Sequence, residues 1–176
     1  TVNGNINVNA GTFQANSGTV NINGNYFYIG GGTANFAGST INTGNSTNEY
    51  IRLYSGSLSI SAGTVNVTNY IYIDNNSLSV SGGTINIGTG NGVNYIPLYV
   101  AGSGNFTGGT INIQSVQANG YATYINSSST FTGGLIKITA TNGNYYIYSE
   151  KWHNFEINSS GVNAIFVSNG TFSGNF

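Results

Sequence analysis

The sequence predicts an all-β fold: a right-handed parallel β-helix, or β-solenoid, with about three short strands per coil and about seven to eight coils. Three observations predict it. A five-residue motif recurs about every 20 to 25 residues, an aromatic motif follows it, and glycine pairs separate the copies.

The first motif reads Gly, Thr, a branched aliphatic, Asn, then a branched aliphatic. It stands as Gly18-Thr19-Val20-Asn21-Ile22, Gly63-Thr64-Val65-Asn66-Val67, Gly83-Thr84-Ile85-Asn86-Ile87 and Gly109-Thr110-Ile111-Asn112-Ile113. Ser39-Thr40-Ile41-Asn42-Thr43 and Gly134-Leu135-Ile136-Lys137-Ile138 are looser copies. Alternate side chains of a strand face opposite ways, so the Val and Ile positions point inward and Thr and Asn outward.

The second motif reads Tyr26-Phe27-Tyr28-Ile29, Tyr50-Ile51-Arg52-Leu53, Tyr70-Ile71-Tyr72-Ile73, Tyr95-Ile96-Pro97-Leu98 and Tyr145-Tyr146-Ile147-Tyr148. A third short strand closes each unit at Ala34-Asn35-Phe36, Leu58-Ser59-Ile60, Leu78-Ser79-Val80, Phe106 and Phe131. Gly82-Gly83, Gly108-Gly109 and Gly133-Gly134 then turn the chain into the next copy, because glycine accepts positive φ. The loop after the first strand varies in length, which a solenoid permits at one corner. That irregular period disfavours the strict left-handed hexapeptide type and favours the right-handed helix. Stacked at about 4.8 Å per layer, the coils make a rod of about 35–40 Å. The whole chain, 1–176, reads as one domain, with 1–18 an irregular first coil and 135–176 less regular last coils.

Composition narrows the function classes. Three Lys and Arg against four Asp and Glu leave a net charge of −1, so there is no basic field for nucleic acid or an anionic membrane surface. No window holds the roughly 20 apolar residues of a membrane span. There is no Cys and no Met, so disulfides are excluded and a processed product or a segment of a longer chain is expected. No charged, apolar leader opens the sequence, so any signal peptide is expected to have been removed. Thirteen Tyr and nine Phe alternate with polar residues, which argues against disorder.

The Gly-Gly-Thr-Ile-Asn-Ile copies resemble the β-helix repeats of large bacterial secreted and surface proteins, including autotransporter-type passengers. Trp152-His153-Asn154-Phe155-Glu156-Ile157-Asn158-Ser159-Ser160-Gly161 is similar to a repeat type common in surface proteins of the Bacteroidota. The resemblance spans nearly the whole chain. It implies an extracellular or cell-surface location and a role as adhesin shaft, surface-layer part or fibre, and it supplies no catalytic residue.

The residues themselves point away from catalysis, cofactors and metals. The four carboxylates are Glu49, Asp74, Glu150 and Glu156. Glu49 and Asp74 flank the aromatic strand at opposite ends, and nothing in the repeat phase brings two carboxyls to the roughly 5 Å of a retaining glycosidase pair. His153 has no partner cluster, and calcium-binding nonapeptide repeats need an Asp in every turn. No enzyme activity is expected.

Two outward ladders remain as candidate surfaces. One is polar: Thr19, Thr64, Thr84 and Thr110 beside Asn21, Asn42, Asn66, Asn86 and Asn112. Stacked amides stabilise a sheet by hydrogen bonding along the column, and a flat Thr/Asn array could also meet ice or crystalline polysaccharide. The other is aromatic: Tyr26, Tyr50, Tyr70, Tyr95 and Tyr145, with Tyr28 and Tyr72 one column over. Exposed aromatic stripes mark interaction surfaces, here for another subunit or a glycan. Lys137 interrupts the Asn column, and if Phe155-Glu156-Ile157 is the next first strand, Glu156 lies beside it and the two pair. Neither end carries an evident cap, so head-to-tail self-assembly into a filament is expected, with a segment of a long adhesin as the alternative.

Overall fold

Buried and half-exposed positions alternate through the strands as a pleat with one apolar face requires, for example in Tyr26–Ile29, Tyr50–Leu53 and Tyr70–Ile73. The computed structural model describes residues 1–44, 48–90, 93–141, 143–149, 151–152, 154–161, 163–167 and 171–172. Its strands begin with β1 (Ile6–Val8), β2 (Thr12–Ala15), β3 (Thr19–Ile22), β4 (Tyr26–Ile29), β5 (Thr33–Thr43) and β6 (Tyr50–Leu53). Next come β7 (Ser57–Val67), β8 (Tyr70–Ile73), β9 (Ser77–Ile87), β10 (Leu98–Val100), β11 (Ser103–Ile113) and β12 (Gly120–Ile125). The last are β13 (Thr130–Ile138), β14 (Tyr145–Ser149), β15 (Lys151–Trp152), β16 (Phe155–Ile157), β17 (Ala164–Phe166) and β18 (Thr171–Phe172).

Two large parallel sheets wind around one core, and β15 and β18 pair as a third, two-stranded one. The short strands stack as β1-β4-β6-β8-β10-β12-β14-β17. The long strands stack as β2-β5-β7-β9-β11-β13-β16, with β3 also paired to β5. Among the described residues eight strands of one sheet and seven of the other stack in this way, roughly consistent with the expected seven to eight coils. The fold is a parallel β-solenoid.

One expected detail is corrected. The third strand of each unit and the first strand of the next do not remain separate. In β5, β7, β9 and β11 they run together as one 11-residue strand. Register shifts mark the bend, as between Phe106 and Thr110. Glycine makes the continuity possible. Gly63, Gly83, Gly109 and Gly134 all have φ between +74° and +85°, and a Cβ on Gly83 would stand 2.8 Å from the Gly63 carbonyl oxygen one coil below. The corner packs backbone against backbone, so hydrogen bonding continues around it. In the first coil the two parts stay apart as β2 and β3.

The core is a set of aliphatic columns. Ile41, Val65, Ile85, Ile111 and Ile136 stack in register from the long strands, all at least 97% buried. Ile51, Ile71 and Leu98 face them from the short strands, fully buried. Each such side chain contributes about 1.5–3 kcal/mol on burial. Where the Leu58 and Leu78 column reaches Gly104, the Phe106 ring fills the gap, since a Cβ there would lie 2.2 Å from its Cε2. Phe106 in turn stacks on Phe131 at 4.4 Å.

Candidate functional site

The polar ladder lies on the far half of the long strands. Register places Asn21, Asn42, Asn66, Asn86 and Asn112 in one column. Each amide nitrogen donates to the amide oxygen of the coil before it: Asn42 to Asn21 at 2.7 Å, then Asn66 to Asn42, Asn86 to Asn66 and Asn112 to Asn86, each at 2.8 Å. The column is a single chain of bonds running one way. Beside it Thr19, Thr64, Thr84 and Thr110 align, with Thr40 completing the run between Thr19 and Thr64. Lys137 follows Asn112 in the column and Glu156 follows Lys137. The two form an ion pair, Nζ to Oε1 2.7 Å.

The tyrosine face covers the short-strand sheet, and here the structure rearranges the expected columns. Tyr26, Tyr50 and Tyr70 stack in register, with ring centroids 5.6 and 4.8 Å apart. The next position in that column is Pro97, because β10 pairs Leu98 with Ile71 and Tyr99 with Tyr72. Tyr95 is therefore two residues out of the expected alignment. It precedes the strand, and its ring leans between the two columns, 5.3 Å from Tyr70 and 5.5 Å from Tyr72. Tyr145 is a plain correction: it points inward and is fully buried, its hydroxyl donating to Ser159 Oγ at 3.1 Å. β14 is anchored by Ile147, which pairs with Thr123, so Tyr146 and not Tyr145 takes the outward place. A slip of one residue exchanges the faces of a strand.

The column of Tyr28 and Tyr72 is the longest aromatic one, and it runs on through tyrosines outside the repeat motif. Tyr28, Arg52, Tyr72, Tyr99, Tyr124 and Tyr148 occupy one outward line. The last four stack at 4.3, 4.8 and 4.8 Å with interplanar angles of 14°, 16° and 8°. Rings stacked so closely cover one another's faces and turn edges and hydroxyls outward. Arg52 interrupts the column and is held there by Asp74, with Nε 3.0 Å and Nη2 3.4 Å from its carboxylate. Its guanidinium lies 5.1 Å from the Tyr72 ring centre and 5.8 Å from that of Tyr54. The Asp74 hydrogen bond pushes the Arg52 pKa up further.

Burial pushes the Tyr70 phenol up to about 12, helped by the neighbouring Tyr50. Tyr72 also rises, through burial and then hydrogen bonding with Tyr95. Burial raises Tyr145 as well, against the lowering effect of Ser159. Glu49 is buried at the loop corner with one carboxylate oxygen unpartnered. Glu150 and His153 lie outside the described residues. Among the described residues no three His, Cys, Asp or Glu side chains converge to hold a metal ion, and no helix is long and apolar enough to cross a membrane. At the start of the Asn column a polar groove of about 560 Å³ is lined by Asn21, Asn42, Thr43, Asn66, Thr68 and Thr89 among others.

The fold and its two ladders define a class, the parallel β-solenoids. No family model, curated protein or solved structure matches the chain.

Proposed function

We propose that the chain is a structural β-solenoid of an extracellular surface or fibre, which assembles with further copies of itself and uses the tyrosine face for lateral contact. One observation carries this reading: in both ladders, outward side chains meet their equivalents in adjacent coils. Amide meets amide in the Asn column, ring meets ring in the tyrosine columns, and Lys137 meets Glu156. Such a surface reinforces a shaft and repeats along it. Only four carboxylates and three basic residues leave little repulsion between copies, and a head-to-tail contact that does not close extends into a filament.

Negative-stain electron microscopy and sedimentation of the purified chain over a dilution series test the proposal. Filaments or laterally paired rods that dissociate on dilution are expected. Monodisperse single rods at every concentration would overturn self-assembly. A glycan-binding module is the second reading, favoured by the polar groove beside the Asn column. The mutual stacking of the tyrosines weighs against it, since the ring faces a sugar would cover are already occupied. Glycan-array binding lost on Tyr50→Ala and Tyr70→Ala would move the second reading ahead.

A further inference from the structure

We infer that the tyrosine face is a modification site: a haem peroxidase acting with hydrogen peroxide would couple adjacent rungs into dityrosine staples that join one coil to the next. The inference needs only the geometry of the face and stands apart from the proposed assembly. Tyr72, Tyr99 and Tyr124 lie at equivalent positions of successive parallel strands, so their backbones are about 4.8 Å apart. Their rings stack at 4.3 and 4.8 Å. Tyr50 and Tyr70 form a second such pair, with centroids 4.8 Å apart and planes 5° from parallel. Both partners are rooted in the sheet, so each ring meets its neighbour without diffusion. The χ2 torsion of tyrosine is broad, and a turn about it brings two ring edges together while the backbone stays in place.

Each of two phenols gives up one electron and its hydroxyl proton to the peroxidase. The two phenoxyl radicals join by one carbon–carbon bond between the carbons ortho to oxygen. The hydrogens on those carbons then shift as protons to the oxygens, restoring two phenols. Two electrons and two protons in all reduce one hydrogen peroxide to two waters. The sequence contains no Cys and no Met to intercept the oxidant, and a single Trp. A staple between Tyr72 and Tyr99 would close a loop of chain, as a disulfide does elsewhere, and restrict the unfolded state.

The test treats the folded chain with a haem peroxidase and hydrogen peroxide. Dityrosine is read by its fluorescence, by a denaturing gel and by peptide mapping. Product at the monomer position is expected, with Tyr72 joined to Tyr99, Tyr99 to Tyr124, Tyr124 to Tyr148 and Tyr50 to Tyr70, in several-fold greater yield than from the urea-unfolded chain. Tyr99→Phe keeps a ring in the stack and should remove the Tyr72–Tyr99 and Tyr99–Tyr124 adducts, lowering the fluorescence, while leaving those of Tyr50 with Tyr70 and Tyr124 with Tyr148. Tyr124→Phe, should the first variant not fold, is expected to remove the adducts of Tyr124 with Tyr99 and Tyr148 while leaving that of Tyr72 with Tyr99. Equal yields from folded and unfolded chain would overturn the inference, as would adducts confined to dimers or to the exposed Tyr54 and Tyr121.

Discussion

The Asn column and the tyrosine columns occupy adjacent sides of the same coils, yet they hold them together differently. The amide column is a chain of hydrogen bonds with bond lengths of 2.7–2.8 Å and the same partner type at every step. The tyrosine columns tolerate an arginine, a proline and a ring supplied from a loop. Hydrogen bonds are directional and lose most of their value when a rung is displaced. Ring contacts extend over a broad surface and accept offset and tilted neighbours. The amide side demands strict register, and the aromatic side accommodates the irregular loops that precede its strands.

That contrast can be broken experimentally. Asn66→Ala removes the middle rung, leaving the Asn42 oxygen and the Asn86 nitrogen without their ladder partners, and is expected to cost about 1–3 kcal/mol in urea unfolding. Asn112→Ala removes one ladder bond and should cost distinctly less. Equal losses would show that the column does not act as a chain. Tyr99→Leu removes two stacked contacts, at about 0.5–1.5 kcal/mol per aromatic pair beyond buried area. The two losses are expected to be comparable, and a distinctly larger one for Tyr99→Leu would show that the aromatic side holds the coils together more strongly.

Alkali should discriminate between the faces as well. Burial pushes the folded Tyr70 phenol from its ordinary 10.0 up to about 12. The unfolded chain therefore loses that proton first, and the stability tied to it is complete below pH 10 and disappears as pH rises through about 12. Denaturant midpoints across this window should fall with pH, and Tyr70→Phe should flatten the fall. Lys137→Ala is expected to have the smallest effect, a few tenths of a kcal/mol, because the pair with Glu156 is partly exposed and screened by salt. The difference from wild type should shrink further in concentrated salt.

The strict side was also the more legible in sequence. Gly-Thr-x-Asn-x keeps its spacing because glycine, threonine and asparagine each occupy a fixed place at and after the bend, so Asn21 to Asn112 could be aligned by inspection. The short strands follow loops of different length, so their tyrosines keep no fixed spacing from the glycine corner. Tyr95-Ile96-Pro97-Leu98 imitates Tyr70-Ile71-Tyr72-Ile73, but proline lacks the N–H that a strand interior needs and belongs at its first position. That signal would have moved the strand to Leu98-Tyr99-Val100 and revealed Tyr99. In β12 the inward places hold Ala122 and Thr123 in place of large aliphatics, which hid Tyr124. The doubled Tyr145-Tyr146 concealed which of the two faces out until Ile147 set the phase. Arg52 and Asp74 pair diagonally across neighbouring coils, a contact visible only once those coils are in register.

The one-way donation along the Asn column has an electrostatic consequence. Every side-chain amide is a dipole, and five pointing the same way add along the rod axis. The column is positive toward Asn21 and negative toward Asn112, and the Lys137 ammonium stands next in line at the negative end. The rod thus has electrical polarity as well as a chain direction. Two copies joined in the same sense would extend the field. Joined in opposite senses, they would set like ends against each other.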